Sequence, residues 1–375
     1  MDRRKFVKSA ALGAGALTLA GCDNGNDRAA DSPSAPAVIR KQRKLKLVTA
    51  WPKNLPGLGM APERIAKNVF EATDGAIDIK VYAAGELVQA FDSFDAVSTG
   101  AADMYHGAEY YWQGKSKAFN FFTSVPFGLT ANEHMAWIYH GGGQELWDEL
   151  AVQFNIKPWM AGNTGVQMGG WFRKEINTLD DFKGLRIRMP GLGGEVMRLL
   201  GAAAVVLPST DIFTSLQSGA IDATEWVGPW NDLTMGFYQV AKYYYWPGFH
   251  EPGAALSLGI NTDVWNDLTK AERRIIQDAC AAENSRNLSE FNAFNTRSLR
   301  ILTEQHGVQL RRFSEEILLE LGRLSKIVLR EASESDDMTK RVYDSFLVAR
   351  SDGAAWSEIS EEAFWQARRL SMTET

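Results

Sequence analysis

The chain has 375 residues, of which 45% are hydrophobic and 23% charged. Those proportions exclude a largely disordered chain and a polytopic membrane protein, and the length favours two domains or one large elaborated one. Net charge is −6, and beyond residue 21 there are 36 bases against 45 acids with no long Lys/Arg block, which argues against nucleic acid as a partner.

The N-terminus reads as an export signal over residues 1–21. Arg3-Arg4-Lys5-Phe6-Val7-Lys8 is a twin-arginine n-region, and the small apolar stretch Ala10 to Ala20 that follows is too short for a bilayer needing about 20 residues. Leu19-Ala20-Gly21-Cys22 matches a lipobox, predicting cleavage before Cys22 and lipid on its sulfur; the bland alternative is an ordinary signal with an incidental cysteine. The remaining cysteine, Cys280, would then have no partner, so no internal disulfide is expected and Cys280 reads as a buried small apolar residue. Residues 22–43 are rich in Asp, Asn, Ser, Pro and Lys/Arg and read as a flexible tether. At about 3.3 Å per extended residue it reaches roughly 70 Å.

The body alternates strand and helix patterns. Leu45 to Thr49 reads as a strand, and Pro62 opens a helix with Ile65, Ala66, Val69 and Phe70 on one face, closed by Gly75. Ile77, Ile79 and Val81 alternate as the next strand. Phe91, Phe94 and Val97 mark a helix stopped by Gly100. Val196, Leu199 and Leu200 precede Gly201 and a strand ending at Leu207, and Ser209-Thr210-Asp211 caps a helix with Ile212, Phe213 and Leu216, stopped by Gly219. Val97 to Asp103 echoes Leu216 to Asp222, each a helix end, a glycine cap and a strand entry, which points to two lobes of related topology around a cleft. From Asp263 the chain reads as helical through Leu302, with two or three amphipathic helices following to Leu370. The class is α/β.

Catalytic signatures are missing. No Gly-x-Ser-x-Gly, His-Glu-x-x-His or Cys-x-x-Cys occurs; Gly114-Lys115-Ser116 lacks the earlier P-loop glycine, Glu109 standing there, and Gly191-Leu192-Gly193 does not complete a dinucleotide fingerprint. The five histidines are scattered, with His134 and His140 on different faces of one helix, so core, cap or surface roles are expected of them.

Two segments carry the chemistry. Gly162 to Phe172 (Gly-Asn-Thr-Gly-Val-Gln-Met-Gly-Gly-Trp-Phe) is followed by Leu185-Arg186-Ile187-Arg188-Met189, where alternation places both arginines on one strand face. Either arginine would suit bidentate capture of a carboxylate, although pattern alone favours a solvated face. Ile221 to Trp230 sets Glu225 between a strand and an aromatic turn. With an amide such as Gln167 and a backbone carbonyl, Glu225 would offer oxygen ligands to Na⁺ or Ca²⁺; otherwise it pairs a helix end or an arginine.

At these segments the chain resembles the extracytoplasmic solute-binding proteins of tripartite ATP-independent periplasmic (TRAP) transporters, the DctP family, in the branch that binds 2-oxo acids such as pyruvate. The resemblance runs from about Leu47 to the C-terminal helices. It rests on Ala84 to Val88, His140-Gly-Gly-Gly, Gly162 to Glu175, Ile221 to Pro229 and Tyr243-Tyr-Tyr-Trp-Pro-Gly248. It implies a two-lobed periplasmic binding protein fold with a ligand cleft between the lobes and long C-terminal helices. Lobe I would cover residues 44–164 and 254–310, lobe II residues 165–253, and the C-terminal helices residues 311–375. It also implies that Arg188 binds the ligand carboxylate while Arg186 stays solvated, and that Gln167 touches ligand and metal. Glu225 and the Trp226 carbonyl would ligate the cation, Glu251 would be a further ligand, and Asn163 and Tyr110 or Tyr111 would line the site. His250 and Pro252 flank Glu251 where the family pattern leads one to expect aromatic and glycine residues, and Trp51 is expected at the cleft edge. Implied too are a small carboxylate ligand bound with a metal cation (Na⁺ or Ca²⁺), membrane permease subunits as partners, a periplasmic location with a lipid anchor, and a homodimer through the C-terminal helices. The alternatives are a membrane-tethered extracytoplasmic hydrolase using Asp/Glu pairs, and the binding protein of an ATP-driven importer.

Overall fold

The computed structural model describes residues 42–372. The signal, Cys22 and nearly all of the tether lie outside the described residues.

Eleven strands are formed among the described residues: β1 (Arg43–Thr49), β2 (Ile77–Tyr82), β3 (Met104–Gly107), β4 (Ile156–Asn163), β5 (Gly170–Phe172), β6 (Arg186–Arg188), β7 (Ala203–Val205), β8 (Ala223–Thr224), β9 (Tyr243–Trp246), β10 (Ala255–Asn261) and β11 (Gln309–Arg312). They make two sheets, one of five strands in the order β2-β1-β3-β10-β4 and one of six in the order β11-β9-β5-β8-β6-β7. In the first, β1 runs parallel to β2 and β3, while β10 is antiparallel to β3 and β4. With helices packed around both sheets, the chain is a two-lobed α/β protein.

The first sheet starts at Arg43, inside the stretch expected to be tether. Arg43 pairs in register with Ile77, and its guanidinium meets Asp267 and Glu272. Leu47, Ile77, Ile79, Met104, Leu258 and Ile260 fill one core with Ile65 and Val69 of the helix Met60–Ala72 and with Ile276 and Cys280. Cys280 is buried and unpaired, and burial pushes its thiol well up.

Helix boundaries differ from the sequence reading where backbone chemistry intervened. The helix Met60–Ala72 begins two residues before Pro62, leaving that proline in its first turn, where no N–H is missed. Pro208, not Ser209, stands at the N-cap of the helix Ser209–Ser218, and no side chain caps it. Asn261 and Thr269 cap two separate helices, Thr262–Asp267 and Lys270–Arg300, within a stretch that reads as continuous. The glycine echo is kept: Gly100 and Gly219 take φ of +79° and +75°, each just past a helix and before a strand.

The chain leaves the first sheet after β4, makes β5 to β9 in the second, and returns at β10. The two crossings, residues 164–169 and 247–254, lie side by side: Gly248 N–H donates to Gln167 O at 3.0 Å and Gln167 N–H donates to Glu251 O at 3.1 Å. A Cβ on Gly248 would stand 2.4 Å from Gln167 O, so only glycine permits this approach. The helix Lys270–Arg300 packs on both β4 and the helix Pro229–Met235, and the chain then adds β11 to the second sheet beside β9, across residue 310. Helices Glu315–Ser333, Asp337–Ile359 and Glu361–Ser371 follow.

Candidate functional site

Where the two crossings meet the sheet ends, polar side chains gather in a buried place. Arg188 ends β6 and pairs in register with Thr224 of β8, so the next residue, Glu225, stands beside it. Arg188 is 1% exposed and Glu225 wholly buried. Arg188 Nη1 donates to the Glu225 carboxylate and, at 3.3 Å, to the Glu225 carbonyl; Nε donates to Leu207 O at 3.2 Å. Nη2 has no partner. The guanidinium carbon lies 5.2 Å from the centre of the Trp226 ring, within cation–π range.

Arg186, on the same strand face, meets different surroundings. It makes a two-pronged pair with Asp222, Nε to Oδ2 at 2.8 Å and Nη2 to Oδ1 at 2.6 Å, with half of its side chain in solvent. Pattern alone favours a solvated face for both arginines. Arg188 departs from it because it pairs with buried Glu225 and lies over the Trp226 ring, whereas Arg186 reaches Asp222 with half its side chain in solvent.

The second crossing supplies His250 and Glu251, both buried. His250 Nε2 donates to Glu225 Oε2 at 3.2 Å, and its Nδ1 has no partner. Glu251 Oε2 accepts from Gln167 Nε2 at 2.7 Å; that nitrogen also reaches Thr164 Oγ1 at 3.0 Å, while Gln167 Oε1 is buried with no partner. One ligand atom each from Glu225, His250 and Glu251 lie within 4.8 Å of one another. Two carboxyl groups at this spacing, with Gln167 bound to one of them and its amide oxygen unused, suit a hard cation that prefers oxygen, such as Na⁺ or Ca²⁺. The sequence reading notes His250 beside Glu251 as a departure from the family pattern but gives it no part in the site; its approach to Glu225 comes from the second crossing and not from any spacing of histidines.

Charge and burial work together here. Burial first, then the Glu225 carboxylate, push the Glu251 carboxyl well up, against Arg188 and hydrogen bonds from Tyr110 and Gln167. Burial opposes the Arg188 charge, but Glu225, the Tyr111 and Tyr110 phenols and Glu251 hold its pKa above the ordinary arginine value. Tyr111 is pushed up to about 12, mainly by burial.

Asn163, at the end of β4, is brought to the same junction. Its Oδ1 accepts from Gly165 N–H at 2.8 Å, its own N–H donates to Asn287 Oδ1 at 3.2 Å, and its Nδ2 is buried without a partner. A cavity of about 10 Å³ lies between Trp51, Leu58, Tyr110, Tyr111, Gln167 and Trp226. Trp51 is buried in this wall, not at the edge where the sequence suggested it.

The model of the bacterial extracellular solute-binding proteins, family 7, matches residues 47–336. The chain belongs to this family. It is a TRAP-type extracytoplasmic solute-binding protein and not an enzyme, which sets the hydrolase reading aside. It is 38% identical over 364 residues to a monocarboxylate 2-oxoacid-binding periplasmic protein of Nostoc sp., covering 97% of this chain and 98% of that one. A TRAP transporter solute-binding protein of Bordetella bronchiseptica, a dimer with calcium and picolinate in one active site, superposes with a TM-score of 0.86 at 35% identity, over 88% of this chain and 98% of that one. One from Pseudoalteromonas atlantica with bound sodium and pyruvate gives a TM-score of 0.84 at 37% identity, over 87% and 99% of the two chains. Among the described residues no helix is long and apolar enough to cross a membrane.

Proposed function

We propose that this protein captures a small 2-oxo acid, with pyruvate as the reference ligand, together with Na⁺ or Ca²⁺, and delivers it to TRAP membrane permease subunits. The observation that carries this is the Arg188–Glu225–Glu251 cluster: a buried arginine with a free Nη2 beside two buried carboxylates and an unused amide oxygen. A 2-oxo acid offers neighbouring carboxylate and carbonyl oxygens that chelate one cation, and Arg188 balances the charge left over. Glu225, Glu251, Gln167 Oε1 and the Trp226 carbonyl would hold the cation. Arg188, Gln167, Asn163, Tyr111 and the Trp226 ring would hold the acid. The relatives that bind pyruvate with sodium and picolinate with calcium support the same pairing.

In this reading lobe I is built on residues 44–164 and 254–310 and lobe II on residues 165–253, with β11 added to lobe II and the C-terminal helices beyond. The two crossings act as hinges, and closure over acid and cation draws its driving force from their higher affinity for the closed state. The protein works outside the cytoplasmic membrane, tethered by lipid on Cys22. It forms a homodimer through the helices Asp337–Ile359 and Glu361–Ser371, where Trp356, Ile359, Phe364, Trp365 and Leu370 are each more than half exposed.

Calorimetric titration with pyruvate, 2-oxobutyrate and lactate, in chelated buffer and with Na⁺ or Ca²⁺ added, tests the reading. Tight binding that needs the cation is expected. Absence of binding by the folded protein to all three acids would overturn it.

A further inference from the structure

We infer that Trp51 sets the upper limit on the side chain of the bound acid, and that His106 holds it at that limit. The inference rests on the function proposed above and goes further by naming the residue that selects chain length.

The cavity has two characters. Its polar lining is Gln167, Thr164, Tyr110 and Tyr111, and Trp226 links it to Arg188, which lies over that ring. Its apolar side is made by Trp51, Leu58, Val227 and Leu256. With its head on Arg188, beyond the Trp226 ring, the acid would place its alkyl group against these apolar residues. The cavity volume of about 10 Å³ is room for roughly one water-sized sphere, close to a methyl group.

Trp51 is a large ring of this wall that is held by a partner other than the anion-binding arginine. Trp226 carries the guanidinium over its ring, 5.2 Å from the ring centre. Trp51 packs edge-on against Trp226, with ring centres 6.3 Å apart, and tilted against Tyr111 at 6.1 Å. Its indole Nε1 donates to His106 Nδ1 at 2.8 Å. His106 is fully buried on β3, where its backbone carbonyl accepts from Ala50 N–H, and its Nε2 faces Ala161 O of β4 at 3.4 Å. One imidazole nitrogen accepts from the indole and the other carries its proton toward a carbonyl, so the tautomer is fixed and the indole cannot swing from the cavity without leaving a buried acceptor unpaired. Burial lowers the His106 pKa to about 4, which keeps Nδ1 available as an acceptor.

The test is competitive titration of the purified protein, with Ca²⁺ present, using pyruvate and 4-methyl-2-oxopentanoate. Native protein is expected to prefer pyruvate by at least about tenfold, since even one of the three surplus carbons of the longer acid is discriminated on that scale in an apolar pocket. Trp51→Ala should reduce that preference at least about tenfold by gaining the longer acid. Trp51→Phe, which keeps an aromatic core residue, should fall between. His106→Leu, which removes the acceptor, should weaken the preference, and His106→Gln, which still presents an oxygen, should restore much of it; a purely structural role would lower the melting temperature and leave the ratio of the two affinities unmoved. Equal binding of the two acids by native protein, or an unchanged ratio in the Trp51 variants, would overturn the inference. Failure to bind either acid would count instead against the proposed function.

Discussion

Arg188 donates from one nitrogen, Nη1, to both the carboxylate and the backbone carbonyl of Glu225, leaving its outer nitrogen, Nη2, without a partner in a fully buried place. Burying that pair is costly, and the cost is offset only while each charge has the other. A structural ion pair would normally use both arms of the guanidinium. The spare arm, with the spare oxygen of Gln167 nearby, is what a carboxylate ligand and a cation would complete.

Arg188→Ala should therefore abolish binding of 2-oxo acids and also destabilise the protein, by about 3–5 kcal/mol, because Glu225 is left buried with its arginine gone. Arg188→Lys should retain more stability but lose most affinity, since an ammonium cannot present the planar fork. Arg186→Ala, two residues away, should cost no more than about 1 kcal/mol and leave binding intact, its Asp222 pair being half in solvent. Calorimetric titration and chemical denaturation of the three variants check this. A binding defect in Arg186→Ala as large as that of Arg188→Ala would reverse the assignment.

Glu225→Gln and Gln167→Ala should act on the cation first. Each removes or neutralises one oxygen of the set, so Ca²⁺ affinity should drop by at least about tenfold. Pyruvate affinity should fall with it in Ca²⁺ buffer; in chelated buffer it should change little in Glu225→Gln, whereas Gln167→Ala, which also removes a contact to the acid, should weaken it there too. Titrations of each variant with and without Ca²⁺ separate these outcomes.

A different buried acid gives a pH dependence. Glu109, fully buried, has its carboxyl pushed up to about 7 by burial, against hydrogen bonds from Tyr105 and Ser257. Its folded pKa lies above its unfolded one, so its contribution is most favourable below about pH 4.5 and is lost as pH rises through 7. Glu109→Gln should remove that dependence. The melting temperature of the variant should gain on native protein between pH 5 and 8, by the equivalent of roughly 2–3 kcal/mol. A difference that stays flat with pH would contradict the raised pKa.

Much of the fold was legible because short strands and amphipathic helices leave regular marks. Ile77, Ile79 and Val81 alternate because β2 has one buried face, and the glycines at 100 and 219 stop helices because only a left-handed residue fits there. The limits of the reading are local. Ser209 resembles a cap, but Pro208 already holds the extended backbone that starts the helix. Arg186 and Arg188 look alike on a strand because period-two alternation reports the face and not which end of the strand is roofed. His250 stands out only as a neighbour of Glu251, and its contact with Glu225 is not legible, since what brings it there is the pairing of two chain crossings some 80 residues apart in sequence.

The apolar stripe on the C-terminal helices gives a prediction for assembly. Replacing Trp356 and Phe364 together by Ser should leave ligand affinity unchanged and convert a dimer to a monomer in analytical ultracentrifugation. Native protein that sediments as a monomer at all concentrations would remove the dimer from the account.

The most direct test of the central claim, that acid and cation share one site, is to titrate Ca²⁺ into the protein with and without saturating pyruvate, and pyruvate with and without saturating Ca²⁺. An acid that itself coordinates the cation raises the cation's affinity, and linkage makes the two enhancement factors equal. Equal enhancements of about tenfold or more in both directions, lost together in Glu225→Gln, are the predicted result. Ca²⁺ and pyruvate affinities that are independent of one another would contradict it.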